Sequence, residues 1–138
     1  MNYFKSDLLK VGESTACADL DFCKAVQEML PIWRHTTAEK MQERMKRLFE
    51  SNNRFEYVVK DDEGKTQAIM VITCDDDEAH IGANVLVPEM ACSLQPGLLV
   101  GAYRWLYSLA REHGIEWIKT TKTEDHTITQ TYKKLTRR

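Results

Sequence analysis

Near residue 53 the spacing of apolar residues changes from helical to alternating, and this change constrains the fold most. Upstream, Phe22, Val26, Met29 and Leu30 recur at helical spacing within 19–30, and Pro31 ends that run because proline removes a donor and blocks the next turn. Thr36 with Glu39 three residues on reads as a capping box, opening a second helix whose apolar face is Met41, Met45, Leu48 and Phe49. Downstream the period falls to two. Phe55, Tyr57 and Val59 alternate with Arg54, Glu56 and Val58, 61–65 makes a turn, and 67–73 is the near-continuous apolar run of a strand buried on both faces. The two strands predict a hairpin.

Ala79, Ile81, Ala83, Val85 and Val87 then alternate, predicting a third strand that ends at Pro88-Glu89, with 90–96 as a loop. Gly97 to His113 reads as a helix with Leu98, Ala102, Trp105, Leu106, Leu109 and Ala110 on one face and Gly114 just past its end. Residues 115–120 read as a strand. Residues 125–135 read as a last helix, with Ile128, Tyr132 and Leu135 inward. The fold class is α+β, a mixed central sheet flanked by helices, in a single domain over 1–138.

A net charge of -2 and a pI near 6.1 give no global attraction to nucleic acid or an anionic membrane. No apolar run reaches the length of a membrane span, and the first residues carry no secretory pattern, so a cytoplasmic location is expected. Cys17, Cys23, Cys74 and Cys92 lack metal-ligand spacing, and His35, His80, His113 and His126 are dispersed, so no metal is expected. The run Asp75-Asp76-Asp77-Glu78 lacks the alternate-position carboxylates and central glycine of a calcium loop and reads as a solvated connection.

Two helices, an antiparallel meander and a strand-helix-strand-helix unit is the order of the GNAT superfamily of acyl-CoA N-acyltransferases, which the chain resembles over most of its length. The most specific local piece is 125–135, Asp125-His126-Thr127-Ile128-Thr129-Gln130-Thr131-Tyr132-Lys133-Lys134-Leu135, which looks like the family's Asn-x-x-Ala-x-x-x-Tyr-x-Lys-Leu-Gly-Phe segment. Val85-Leu86-Val87-Pro88-Glu89 is similar to the family's strand-ending Val-x-Pro-Glu. Gln95-Pro96-Gly97-Leu98-Leu99-Val100-Gly101-Ala102 occupies the place of the pyrophosphate loop, with a Gln, two Gly and a helix start, but its spacing differs, the basic residue is absent and Pro96 removes a donor.

The resemblance implies acetyl-CoA as cofactor, held by Ala83, Val85 and Val87 on the strand, by Gln95, Gly97, Gly101 and Ala102 at the loop, and by Asp125. It implies an amine substrate and Tyr132 as the acid that protonates the leaving thiolate. For the base, Glu89, Glu78 and His80 all lie near the strand, and Glu89 is taken because it stands at the strand end closest to the cofactor. Trp33, with His35, falls where the family places acceptor-specificity residues, and an aromatic there lines an amine site by cation–π contact as readily as it packs between helices.

Family members continue past the tyrosine helix into further strands. Here Thr136-Arg137 replaces Gly-Phe and the sequence stops at Arg138, so the C-terminal strands read as truncated, leaving the 115–121 edge for a partner chain or second copy to cover. The broken loop and the missing strands together support an alternative, a non-catalytic GNAT-like structural or interaction protein. The style of departure resembles small members encoded by short-tailed bacteriophages, in which case the chain would be a virion or host-takeover component, without acetyl-CoA.

Overall fold

In the computed structural model, which describes residues 1–135, a six-stranded mixed sheet carries helices on both faces. The elements are β1 (Asn2–Lys5), α1 (Leu20–Met29), a 3-10 turn (Pro31–His35), α2 (Ala38–Glu50), β2 (Phe55–Lys60), β3 (Thr66–Asp75), β4 (Val85–Ser93), α3 (Val100–Glu112), β5 (Trp117–Glu124) and β6 (Thr127–Lys134). The strands lie in chain order. Every neighbouring pair is antiparallel except β4 and β5, which run parallel across α3.

Both helices ahead of the meander form for local reasons. The Asp19 carboxylate caps α1 by accepting from the Phe22 amide, and the Thr37 hydroxyl caps α2 by accepting from Lys40. That cap lies one residue beyond the expected Thr36. The two helices bury Phe22, Val26, Met41, Met45 and Phe49 against Val58, Ile69 and Val71 on one face of the sheet. On the other face Ala102, Leu106, Leu109 and Ala110 of α3 pack on Tyr57, Val59, Met70, Ile72, Leu86 and Ile118. β3 sits between both layers, which is why its sequence is apolar at successive positions.

Four sequence expectations change. The strand predicted over 79–87 starts only at Val85, because the chain first closes a turn in which the Gly82 amide donates to the Glu78 carbonyl and the Glu78 amide to that of Ala83. Gly82 takes a left-handed φ of 68° there, which ends the alternation read through it. The strand also continues through Pro88 to Ser93, over part of the expected loop, since Glu89 is an extra residue in a bulge where Val71 pairs with Met90 and Ile72 with Pro88. β1 was not anticipated. All four of its residues are exposed, so it shows no buried face to reveal it.

The largest correction concerns 125–135. This segment is a strand, joined to β5 by the two-residue turn Asp125-His126, with Asp125 at a φ of 49°. Thr127, Thr129 and Thr131 are β-branched, and Ile128, Gln130 and Tyr132 alternate with them, a period of two that outweighs the helical spacing of Ile128, Tyr132 and Leu135. The edge of β5 expected to be bare is therefore paired with β6 of the same chain along its whole length. Thr136, Arg137 and Arg138 lie outside the described residues.

Candidate active site

β4 and β5 are paired at only two positions, Val85 with Trp117 and Leu86 with Ile118, and then diverge. The Glu89 bulge turns β4 away just past this joint. The result is a wedge-shaped cleft of about 740 Å³ between parallel strands, walled by Val87 to Ser93 on one side and by Lys119, Thr121, Lys122 and Thr123 on the other. From Val87 onward the edge of β4 towards β5 has no strand partner among the described residues, so its main-chain groups are open to an extended ligand. Trp33, Arg44, Met45 and Leu48 close the cleft from the helical side, and Ile128 and Gln130 of β6 from the other. A smaller hollow of about 470 Å³ adjoins it, sharing Met29 and Ser93, and runs to Gln95, Gly97 and Tyr103 at the start of α3.

The residues expected at a cofactor are distributed unevenly around this cleft. Val87 lines it, and Gln95 and Gly97 line the adjoining hollow. Gly97 has a φ of 83° and open space where a Cβ would stand, so its backbone conformation is what requires glycine. Val85 is buried in the ladder with Trp117, and Ala83 lies in the turn before β4, its carbonyl taken by Glu78. Ala102 is fully buried on the sheet-facing side of α3. Asp125 sits at the far tip of the β5–β6 hairpin, and Tyr132 near its base, opposite Lys119, so the two residues read as one motif are at opposite ends of a strand.

Gly101 serves packing. A Cβ there would come within 2.7 Å of the Tyr57 hydroxyl, and the Tyr57 ring is hemmed by Trp105 at 6.0 Å and Tyr3 at 6.4 Å. We expect Gly101→Ala to cost about 1 kcal/mol or more in chemical denaturation, since overpacking outweighs the helix propensity gained. In a Tyr57→Phe background, where the hydroxyl is gone, most of that cost should vanish.

Tyr132 and two of the candidate bases, Glu78 and His80, form a second group at the joint. Glu78 is buried, and its Oε1 accepts from the His80 amide at 2.9 Å, from His80 Nδ1 at 2.8 Å and from the Tyr132 hydroxyl at 3.3 Å. Burial works to raise the Glu78 carboxyl, but the hydrogen bonds from the His80 amide and ring, with the charge of that ring, hold it below the usual carboxylate range. Tyr132 is pushed up, first by burial and then by the negative charges of Glu78 and Asp75. Lys119 holds its ammonium 5.7 Å from the centre of the Tyr132 ring and also lines the cleft, linking the two groups.

Because the folded state lowers the Glu78 carboxyl, its contribution to stability is complete above the ordinary carboxylate range and is lost as pH falls through and below it. Denaturation midpoints measured between neutral and acid pH should therefore fall less steeply in Glu78→Gln than in the natural chain.

Glu89 stands in the cleft wall, hydrogen-bonded by the Thr73 hydroxyl at 2.8 Å. Trp33 also lines the cleft, but the Arg44 guanidinium lies 5.3 Å from its ring, so an internal cation covers it. His35 stacks beside Trp33 and bonds the Ile32 carbonyl, outside the cleft. Sequence reasoning missed Lys119, Lys122, Arg44 and Gln130; the alternation of Thr and Gln through 127–131 was the available signal for the last. Cys92, in the cleft wall, is pushed up to about 11 by burial and carries no thiolate at neutral pH. Among the described residues no three His, Cys, Asp or Glu side chains converge on a metal position, and no helix is long and apolar enough to cross a membrane.

In fold the chain is similar to the solved structure described as "Putative acetyl transferase from Pyrococcus furiosus", at a TM-score of 0.58 and 15% sequence identity, over 91% of this chain and 85% of that one. No protein-family model matches the sequence, and no curated protein matches it significantly. The fold is GNAT-like, with a hairpin where the sequence resemblance implied a helix after β5.

Proposed function

We propose that the chain is a GNAT-like acetyltransferase that holds acetyl-CoA in the cleft between β4 and β5 and acetylates an amine. The observation that carries this reading is the two-pair joint between parallel strands, which opens main-chain groups of β4 onto a cleft of about 740 Å³. Bound there, acetyl-CoA supplies its acetyl group as a thioester. The open β4 edge fits its pantetheine arm. The residues fit the diphosphate less closely, since among the described residues no Lys or Arg lines the hollow at the start of α3 and Pro96 offers no amide, leaving the Gly97 turn and its neighbours to hold it.

In this reading Glu89 draws the positively charged acceptor into the cleft, and Lys119 keeps the Tyr132 ring in place at the joint. Tyr132 keeps its hydroxyl proton at neutral pH, as a proton donor to a leaving thiolate must. The uncharged start of α3 favours the competing reading, a non-catalytic module used in assembly, and one experiment separates the two. Calorimetry with acetyl-CoA should give saturable one-to-one heat, weakened by Gly97→Ala, followed by acetyl transfer to one of a panel of primary amines. No heat at millimolar ligand overturns the transferase reading and leaves the assembly module.

A further inference from the structure

The turn between β3 and β4 carries side chains that the cleft itself does not use. We propose that Glu78 and His80 form a carboxylate–imidazole dyad in which His80 Nε2 takes the proton from the acceptor amine. The proposal rests on the transferase reading and adds to it the proton acceptor.

The geometry assigns the ring hydrogen. Glu78 Oε1 lies 2.8 Å from His80 Nδ1, and an ionised carboxylate has no hydrogen to give, so Nδ1 is the donor and the lone pair of the neutral ring is on Nε2. The His80 side chain is 75% exposed while that of Glu78 is 4% exposed, so the carboxylate stands behind the ring and the ring faces outward. Glu78 Oε2 is buried with no hydrogen-bond partner among the described residues. A buried carboxylate with one unbonded oxygen is costly, and a positive charge on the adjoining ring offsets that cost.

The Asp75 carboxylate of β3 acts on the Tyr132 hydroxyl, Asp76 and Asp77 follow it in the same turn, and the Lys119 ammonium of β5 stands over the Tyr132 ring, with Lys133 and Lys134 next to Tyr132 along β6; the Tyr132 hydroxyl lies 3.3 Å from both Glu78 Oε1 and His80 Nδ1. This field attracts a cationic amine. The turn leads directly into Val85, the first residue of the joint that opens the cleft. Among the described residues Glu89 has no imidazole beside it to relay a proton, its Oε1 accepting from the Thr73 hydroxyl at 2.8 Å.

The proton transfer is simple to balance. An N–H bond of the ammonium breaks, the proton bonds to His80 Nε2, and the electron pair left on nitrogen is the nucleophile. The imidazolium then returns its proton to water through the exposed side of the ring.

Nitrogen NMR of the histidine rings in the ligand-free chain reads the tautomer. The dyad requires the Nδ1–H form at His80, reverting towards the Nε2–H form in Glu78→Met, which keeps the length and removes the acceptor. In steady-state acetylation of spermidine, His80→Asn should lower kcat about 30-fold or more and change the pH profile. Acetyl-CoA binding by calorimetry should stay within about twofold of the natural chain, because the exposed ring is not part of the cleft wall. An Nε2–H ring in the natural chain overturns the proposal, as does a His80→Asn protein with unchanged kcat and pH profile. A natural chain that binds no acetyl-CoA overturns the transferase reading, and the base role falls with it, while the tautomer reports on the dyad separately.

Discussion

Glu56→Ala is expected to destabilise the fold by about 3–5 kcal/mol, because it strands a buried guanidinium. Arg54 is 1% exposed and Glu56 3%, and the Arg54 Nε donates to Glu56 Oε2 at 2.6 Å. The carboxylate is almost fully used: Thr15 Oγ1 donates to it at 2.7 Å and the Ala16 amide at 2.9 Å, while Arg54 also reaches the Glu13 carbonyl at 2.7 Å. The pair therefore pins the irregular segment ahead of α1 to the sheet, as the Leu9–Arg54 bridge does further out. Guanidinium denaturation of the variant checks the size, and its thermal midpoint should fall by about 10 °C or more. Replacing both partners, as Arg54→Met with Glu56→Leu, should recover much of the loss, since the cost arises from leaving one charge unpaired rather than from lacking a pair. A single-variant loss below about 1 kcal/mol would show that water reaches the guanidinium.

The second large effect concerns binding. Thr121→Trp should weaken acetyl-CoA binding about 100-fold or more, equivalent to about 2.7 kcal/mol, by filling the cleft with an indole. Thr121 lies past the two-pair joint on the cleft side of β5, opposite Gln130 of β6, and its exposed side chain can be enlarged without touching the core. Tryptophan also suits a strand. The denaturation midpoint should therefore move by about 0.5 kcal/mol or less, so lost heat in calorimetry reports on the cleft and not on folding. Unchanged affinity would place the ligand elsewhere.

The sheet and its two layers were legible because burial writes its own period into the sequence: Phe22 and Val26, Met41 and Met45, Phe55 to Val59, and Leu106 to Ala110 all lie where their spacing put them. The failures have separate physical causes. β6 is exposed at nearly every position, so no buried stripe distinguished strand from helix, and an apparent match at Tyr132 decided the reading. β1 was silent for the same reason. The turn over 79–84 was hidden by small apolar residues on either side of Gly82.

The candidate site was legible only in part. Glu78, His80, Glu89 and Tyr132 were picked as chemistry-bearing residues, yet which of them meet depends on a hairpin that folds Tyr132 back beside Lys119. The role of Gly101 could not be read either, because it depends on the tip of a side chain 44 residues away in sequence, on Tyr57.

The joint between β4 and β5 divides the sheet unequally. β3 and β4 share eight register pairs and β5 and β6 share another eight, whereas only two hold these halves together. The hairpin that carries Lys119, Tyr132 and one wall of the cleft is thus held to its neighbour by the fewest register pairs in the sheet, with Ile118 beneath α3 as its anchor, so an opening at this joint would leave β1 to β4 and their helices closed. Such a partial opening would widen the cleft and pull Tyr132 from Glu78 in one motion, so admission of a bulky ligand and release of the tyrosine would be a single event.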